Sequence, residues 1–225
     1  MKTIKRVSVD EADPLMQRLE PVLKKFNQLV ETYCLRLREP PYWFTERASV
    51  SLFSAAAWAA GWVGVEEYST RKVLASRVDA NEPVHRHGRC DLFIQAPDGI
   101  SFAIEAKQVV ARPSDLELAT TLGLRAARHD AMQLFSTEAT ARVAVLFLVP
   151  TLPADALEQH AVQFDDWLKA TTNALAGKRR ANHAYVFPAD MRDCLGPGRK
   201  GFWPGTVVIA QRVRRRRSST VQALP

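Results

Sequence analysis

Cysteine is scarce. Cys34, Cys90 and Cys194 are the only three in 225 residues, odd in number and far apart. No CxxC and no Cys/His spacing suited to zinc is present, which excludes a disulfide framework and a structural zinc. The thiols are read as packing residues in a reducing, cytoplasmic setting. Long apolar runs are missing too. The longest, Ala55 to Val65, covers 11 residues and holds two glycines. A bilayer-spanning helix needs about 20, so no membrane association is expected. The first six residues carry lysine and arginine with no apolar stretch behind them, and no secretory signal is visible.

Acidic residues are absent after Asp193. Seven of the 31 basic residues lie beyond that point: Arg199, Lys200, Arg212, Arg214, Arg215, Arg216 and Arg217. The remaining 24 balance the 24 acidic side chains, so the net charge of +7 belongs to the C-terminal end. A neutral body with a cationic tail does not suit a protein that coats DNA uniformly. It suits local contact between the tail and nucleic-acid phosphates. The Arg run apart, no repeat or low-complexity tract occurs. No zinc finger, helix-turn-helix or RNA-binding aromatic signature stands out.

What is present is ordinary globular composition, 47% apolar and 24% charged, enough for one domain with a real core. Asp13-Pro14 is an N-cap followed by proline at the first helical position. Leu15, Leu19, Val22, Phe26, Leu29, Tyr33 and Leu37 then recur at helical spacing, with a bend at Pro21 and a stop at Pro40-Pro41. This long stripe suits packing on the core or a homodimer contact through the N-terminal helix. A second helix begins at Thr45-Glu46, with Val50, Phe53, Ala57 and Ala60 on one face, and ends at Gly61 and Gly64. Strands are expected over 63 to 69, 90 to 95, 101 to 108, 142 to 149, 183 to 187 and 206 to 212. Further helices are expected over 116 to 135 and 155 to 175. Residues 76 to 90 read as a polar loop, with His85 and His87 solvated or facing phosphate. The order predicts an α/β domain on a mixed sheet. Three parts are expected: an N-terminal amphipathic helical segment (1–40), the main domain (41–211) and a basic tail (212–225).

The chemistry concentrates between Gly88 and Lys107. Pro97-Asp98-Gly99 suits a three-residue hairpin loop, which pairs Ala96 with Ile100. Continuing that register sets Phe93 against Ala103 and Asp91 against Glu105, and alternation adds Lys107 to the same side. The other side, Leu92 with Ile104 and Ile94 with Phe102, is wholly apolar. Directly opposed carboxylates repel, and a divalent cation between them resolves the conflict. Oxygen-only ligands point to Mg²⁺ or Mn²⁺.

Asp91 followed by a hairpin and then Glu105-Ala106-Lys107 resembles the PD-(D/E)XK nuclease superfamily. The succession of helix, three strands, helix and strand resembles its restriction-endonuclease-like core, over roughly residues 45 to 150. Cys90 stands where the name-giving proline of the motif would be. The resemblance implies that Asp91, Glu105 and the Ala106 carbonyl hold Mg²⁺, with Glu46 as an outer or additional ligand. It implies that Lys107 orients water or stabilises developing charge, and that the reaction is hydrolysis of a phosphodiester in nucleic acid, DNA before RNA. Arg89 and the arginines at 212, 214, 215, 216 and 217 are the expected nucleic-acid contacts. Glu66 and Glu67 read as surface charge, although Glu67 could flank the site. His129, Asp130 and Gln133 lie on the helix expected beside it. The alternative is a catalytically silent module of the same fold that binds nucleic acid or a protein partner.

Overall fold

The computed structural model describes residues 2–73, 85–135, 137–153, 164, 166, 168–171, 181–191, 194–195 and 201–214. Within these the chain is an α/β protein built on a seven-stranded mixed sheet. The strands are β1 (Ile4–Ser8), β2 (Val63–Val73), β3 (His85–Gln95), β4 (Ser101–Ala111), β5 (Ala141–Pro150), β7 (Asn182–Phe187) and β9 (Thr206–Val213), in the spatial order β1-β7-β9-β5-β4-β3-β2. A separate ribbon joins β6 (Leu152–Pro153) to β8 (Gly201–Phe202). The helices are α1 (Pro14–Gln17), α2 (Glu20–Leu37), α3 (Glu46–Ala59) and α4 (Leu116–Gln133).

The pairing of β4 with β5 is parallel, and the other described pairings are antiparallel. A parallel pair needs a crossover, which α4 supplies. β5 is buried along its whole length, as the apolar run from Val143 to Pro150 predicts for a central strand. On one face α2 and α3 close over it. Phe26, Phe53 and Phe147 meet there with ring centroids 5.8 to 6.1 Å apart. Removing the Phe53 ring would leave a cavity costing about 3–5 kcal/mol. On the other face α4 lies close to β4 and β5. A Cβ at Gly123 would stand 2.7 Å from a Leu146 methyl and 2.9 Å from one of Val109. The C-terminal carbonyls of α4 are not left bare: the buried Arg142 guanidinium donates to the carbonyls of Leu134 (2.9 Å) and Met132 (3.3 Å).

Four expectations about elements change. Residues 85 to 90 are strand, not loop: β2 and β3 form a long ribbon in which Arg71 faces His87 and Lys72 faces Arg86. The sequence at this end of the ribbon, 69–72 against 86–89, is polar throughout, so it has no apolar alternation to detect. Ile4–Ser8 is an unforeseen edge strand, which ties the first forty residues into the sheet through β7. Asn27 reinforces it by donating to the Arg6 carbonyl at 3.1 Å. The first helix is interrupted between Gln17 and Glu20 instead of bending at Pro21, because Pro21 starts the new helix, where its missing N–H is harmless. Arg212 belongs to β9 and not to a tail. Of the helix expected over 155 to 175, the described residues Phe164, Asp166 and 168–171 are helical, and the remainder lies outside the described set.

Candidate functional site

The hairpin forms in the predicted register. Ala96 donates to the Ile100 carbonyl at 2.8 Å, and Gly99 takes φ +85°, a left-handed position that suits glycine. Leu92 faces Ile104, and the ladder stops there, one pair short of Asp91 and Glu105. On the other side of β3 the ladder with β2 also skips a pair, since Glu66 faces Leu92 and Tyr68 faces Cys90. The residue skipped on β2 is Glu67, with φ +52°, a left-handed backbone unusual for a residue with a long side chain. Both ladders therefore open at Asp91.

That opening frees Asp91. Its Oδ2 accepts the Ala106 N–H at 2.8 Å, so its side chain replaces a ladder bond between β3 and β4. Asp91 also lines an open cleft of about 250 Å³ with Glu46, Arg47, Val50, Glu66 and Glu67. Glu46, the first residue of α3, accepts the Gln108 N–H at 2.8 Å. The Gln108 side chain fixes the approach to that helix. It accepts from Ser49 Oγ at 2.6 Å and donates to the carbonyls of Phe44 (3.2 Å) and Tyr42 (3.3 Å). Burial raises the Glu46 pKa, and Asp91 and Asp130 add to the rise against Lys107 and the Gln108 bond.

Glu105 is buried at 2% exposure and meets Lys72 Nζ at 2.7 Å. Burial above all, then Asp91, pushes its carboxyl up to about 7, against the opposing pull of Lys72. Gly88 permits this pairing, because a Cβ there would stand 2.8 Å from the Lys72 stem. Lys107 donates to Asp130 on α4 at 2.8 Å, and Asp130 also approaches His129 Nδ1 at 3.3 Å. Burial alone would lower the Lys107 pKa, but Asp130 and then Glu46 hold it above its usual value. Lys107 is thus a fixed cation.

The structure brings Asp91, Glu105, Ala106, Lys107 and Glu46 around the middle of β4, with Asp130 as a further member. Four carboxyl groups face two ammonium groups, so a negative surplus remains even with the Glu105 carboxyl, pushed up to about 7, only partly ionised at neutral pH. Hard oxygen donors with that surplus fit a divalent cation in chemistry and charge. Lys72 already places a positive charge against Glu105. Among the described residues, no three Asp, Glu, His or Cys side chains are gathered closely enough to ligate one as they stand.

Other expected contacts lie elsewhere. Arg89 is bound to Glu67 at 3.3 Å, and Arg47 joins the same carboxylate at 2.8 Å. Arg212 and Arg214 pair with Asp13 at 3.3 and 3.2 Å, away from the acidic cleft. Arg215, Arg216 and Arg217 lie outside the described residues. Sequence reasoning missed Lys72 and Gln108. Lys72 carries no motif, and Gln108 was legible only as the end of the Glu-x-Lys strand. Comparison with known proteins found no matching family model, curated protein or solved structure.

Proposed function

We propose that the chain is a metal-dependent nuclease with a restriction-endonuclease-like core, hydrolysing phosphodiester bonds of nucleic acid, DNA before RNA. The observation that carries this reading is the opening of both ladders at Asp91. It sets Asp91, Glu105, Lys107 and Glu46 around the middle of β4 with an excess of negative charge. The order α3, β2, β3, β4, α4, β5 supports the same core.

Asp91, Glu105 and the Ala106 carbonyl would hold Mg²⁺ or Mn²⁺, with Glu46 outside them or as an additional ligand. A bound cation supplies a lowered pKa for water and offsets phosphate charge. The chain's own groups do the rest. Lys107, kept protonated by Asp130, cannot take up a proton, so it orients water or stabilises charge developing on phosphate. Glu46 borders the cleft with a raised pKa, which suits a proton acceptor. Asp130 positions Lys107. Lys72 must leave Glu105 before a cation binds there.

The Lys72–Glu105 pair favours a second reading, a module of the same fold that binds without turnover. Cleavage assays on circular, linear, single-stranded and RNA substrates, with Mg²⁺, with Mn²⁺ and with EDTA, separate the two. Cleavage only with metal supports the nuclease, and binding without cleavage in every condition supports the silent module.

A further inference from the structure

A second charged region lies on the exposed side of α4 and does not belong to the acidic site. One open pocket of about 530 Å³ is lined by Asp10, Asp13, Arg128, Gln211, Arg212 and Arg214. A neighbouring one of about 500 Å³ is lined by Arg125, Arg128, His129, Met132 and Gln211, among others. The two share Arg128 and Gln211, so they form one groove between α4 and the end of β9. Arg125, Arg128, His129 and Met132 fall at helical steps of three and four, on one stripe of α4. Four guanidinium groups face two carboxylates here, an excess of two positive charges. Among the described residues, Arg125 and Arg128 have no acidic partner.

The groove is built, not incidental. Asp13 caps α1 by accepting from Leu15 (3.2 Å) and Met16 (3.4 Å) N–H groups. The same carboxylate holds Arg212 and Arg214 in fixed positions along the wall. Burial alone would raise the Asp13 pKa, yet the bonds from Arg212 and Met16 hold it below its ordinary value. α4 also carries Asp130, which holds Lys107, so one helix links the groove to the acidic site.

We propose that this groove carries the phosphate backbone of the nucleic-acid substrate, with Arg125 and Arg128 as its unpaired contacts and Arg212 and Arg214 as its fixed wall. The inference rests on the nuclease reading for its ligand. Bare guanidinium forks match phosphate oxygens, and the surplus charge is complementary to a polyanion.

The test is binding of a fluorescent 20-base-pair duplex to the full chain in EDTA, over a range of salt concentrations. Replacing both Arg125→Ala and Arg128→Ala should reduce the log–log salt slope by up to about 1.8, and weaken binding about tenfold or more at 0.1 M salt. Arg125→Lys with Arg128→Lys should restore most of the slope, since charge is kept. Both residues are exposed, and the unfolding midpoint in EDTA should not move. An unchanged slope in the double alanine variant, or no duplex binding by the wild type, overturns the groove assignment even where Mg²⁺-dependent cleavage is found. Groove-dependent binding without cleavage in Mg²⁺ supports the groove and refutes the nuclease reading instead.

Discussion

Glu105 makes the stability of the protein depend on pH in a direction opposite to that of an ordinary paired carboxylate. Its carboxyl moves from the ordinary 4.5 to about 7 on folding, through burial and the nearby Asp91. The native state therefore holds this proton more tightly than the unfolded chain. Between pH 4.5 and 7 the native state carries more protons, so stability falls as pH rises through that window and levels off above it. The carboxyl's travel corresponds to a loss of about 3 kcal/mol at 1.36 kcal/mol per tenfold change in proton affinity. Glu105→Gln keeps the shape and abolishes the titration. It leaves Lys72 facing a neutral amide, a cost spread over all pH values. Other groups titrate nearby. His183 is depressed by burial and then Arg6, so it favours stability as pH rises towards 6.5, and Glu46 acts in the same sense as Glu105. Both contributions are common to wild type and variant and cancel in the difference. The assay is urea unfolding of both proteins in EDTA at several values from pH 5 to 8, with the slope against urea checked for constancy. The wild type should lose about 2.5 kcal/mol more than Glu105→Gln across that range. Curves parallel to within about 0.5 kcal/mol would refute the coupling among Glu105, Asp91 and their buried setting.

Four further outcomes follow from the structure. Asp91→Asn keeps an acceptor for the Ala106 N–H and removes one of the crowded charges, so the metal-free protein should gain about 0.5–2 kcal/mol while its Mg²⁺-dependent rise in unfolding temperature disappears. Asp91→Ala leaves that N–H unpaired and should lose about 1–3 kcal/mol in EDTA; equal stability of the two variants would contradict the bond's importance. Lys72→Met removes the side chain that occupies the place proposed for the cation at Glu105, so a Mg²⁺ titration followed by thermal unfolding should show a several-fold lower midpoint concentration than wild type, and a higher one would show that Lys72 supports the site. Gly123→Ala should cost about 1–3 kcal/mol by pushing α4 off Leu146 and Val109 without changing the Mg²⁺ midpoint, and a neutral result would mean that the helix can retreat freely.

The hairpin and its ends were legible because Pro97-Asp98-Gly99 fixes a loop length and the apolar partners Leu92, Ile94, Phe102 and Ile104 fix a face. The register then followed as far as Leu92 and Ile104. It failed at Asp91 because counting by twos assumes an unbroken ladder, and there the Asp91 side chain takes the Ala106 N–H in place of a ladder bond, while the ladder on the other side of β3 is broken at the left-handed Glu67. Nothing in Glu66-Glu67 signals that kink. Lys72 escaped notice for a related reason. Its end of the strand is polar, and its approach to Glu105 passes over a bare Gly88 two residues along from Arg86, its partner across the ribbon. The basic tail was legible as a count of charge, but Arg212 and Arg214 are drawn back by Asp13, some two hundred residues away in sequence. The charged groove on α4 was hidden because the body is neutral as a whole, and neutrality of a sum conceals separation in space.

The central claim is that Asp91, Glu105 and Lys107 hydrolyse phosphodiester bonds with a divalent cation. The most direct test is cleavage of a labelled DNA substrate by the wild type and by Asp91→Asn, Glu105→Gln and Lys107→Met, each in Mg²⁺, in Mn²⁺ and in EDTA. The account predicts cleavage by the wild type with metal alone and loss of at least about a hundredfold in rate for each variant, with all four proteins folded. Cleavage that persists in EDTA, or an Asp91→Asn protein that cuts as fast as the wild type, would contradict it.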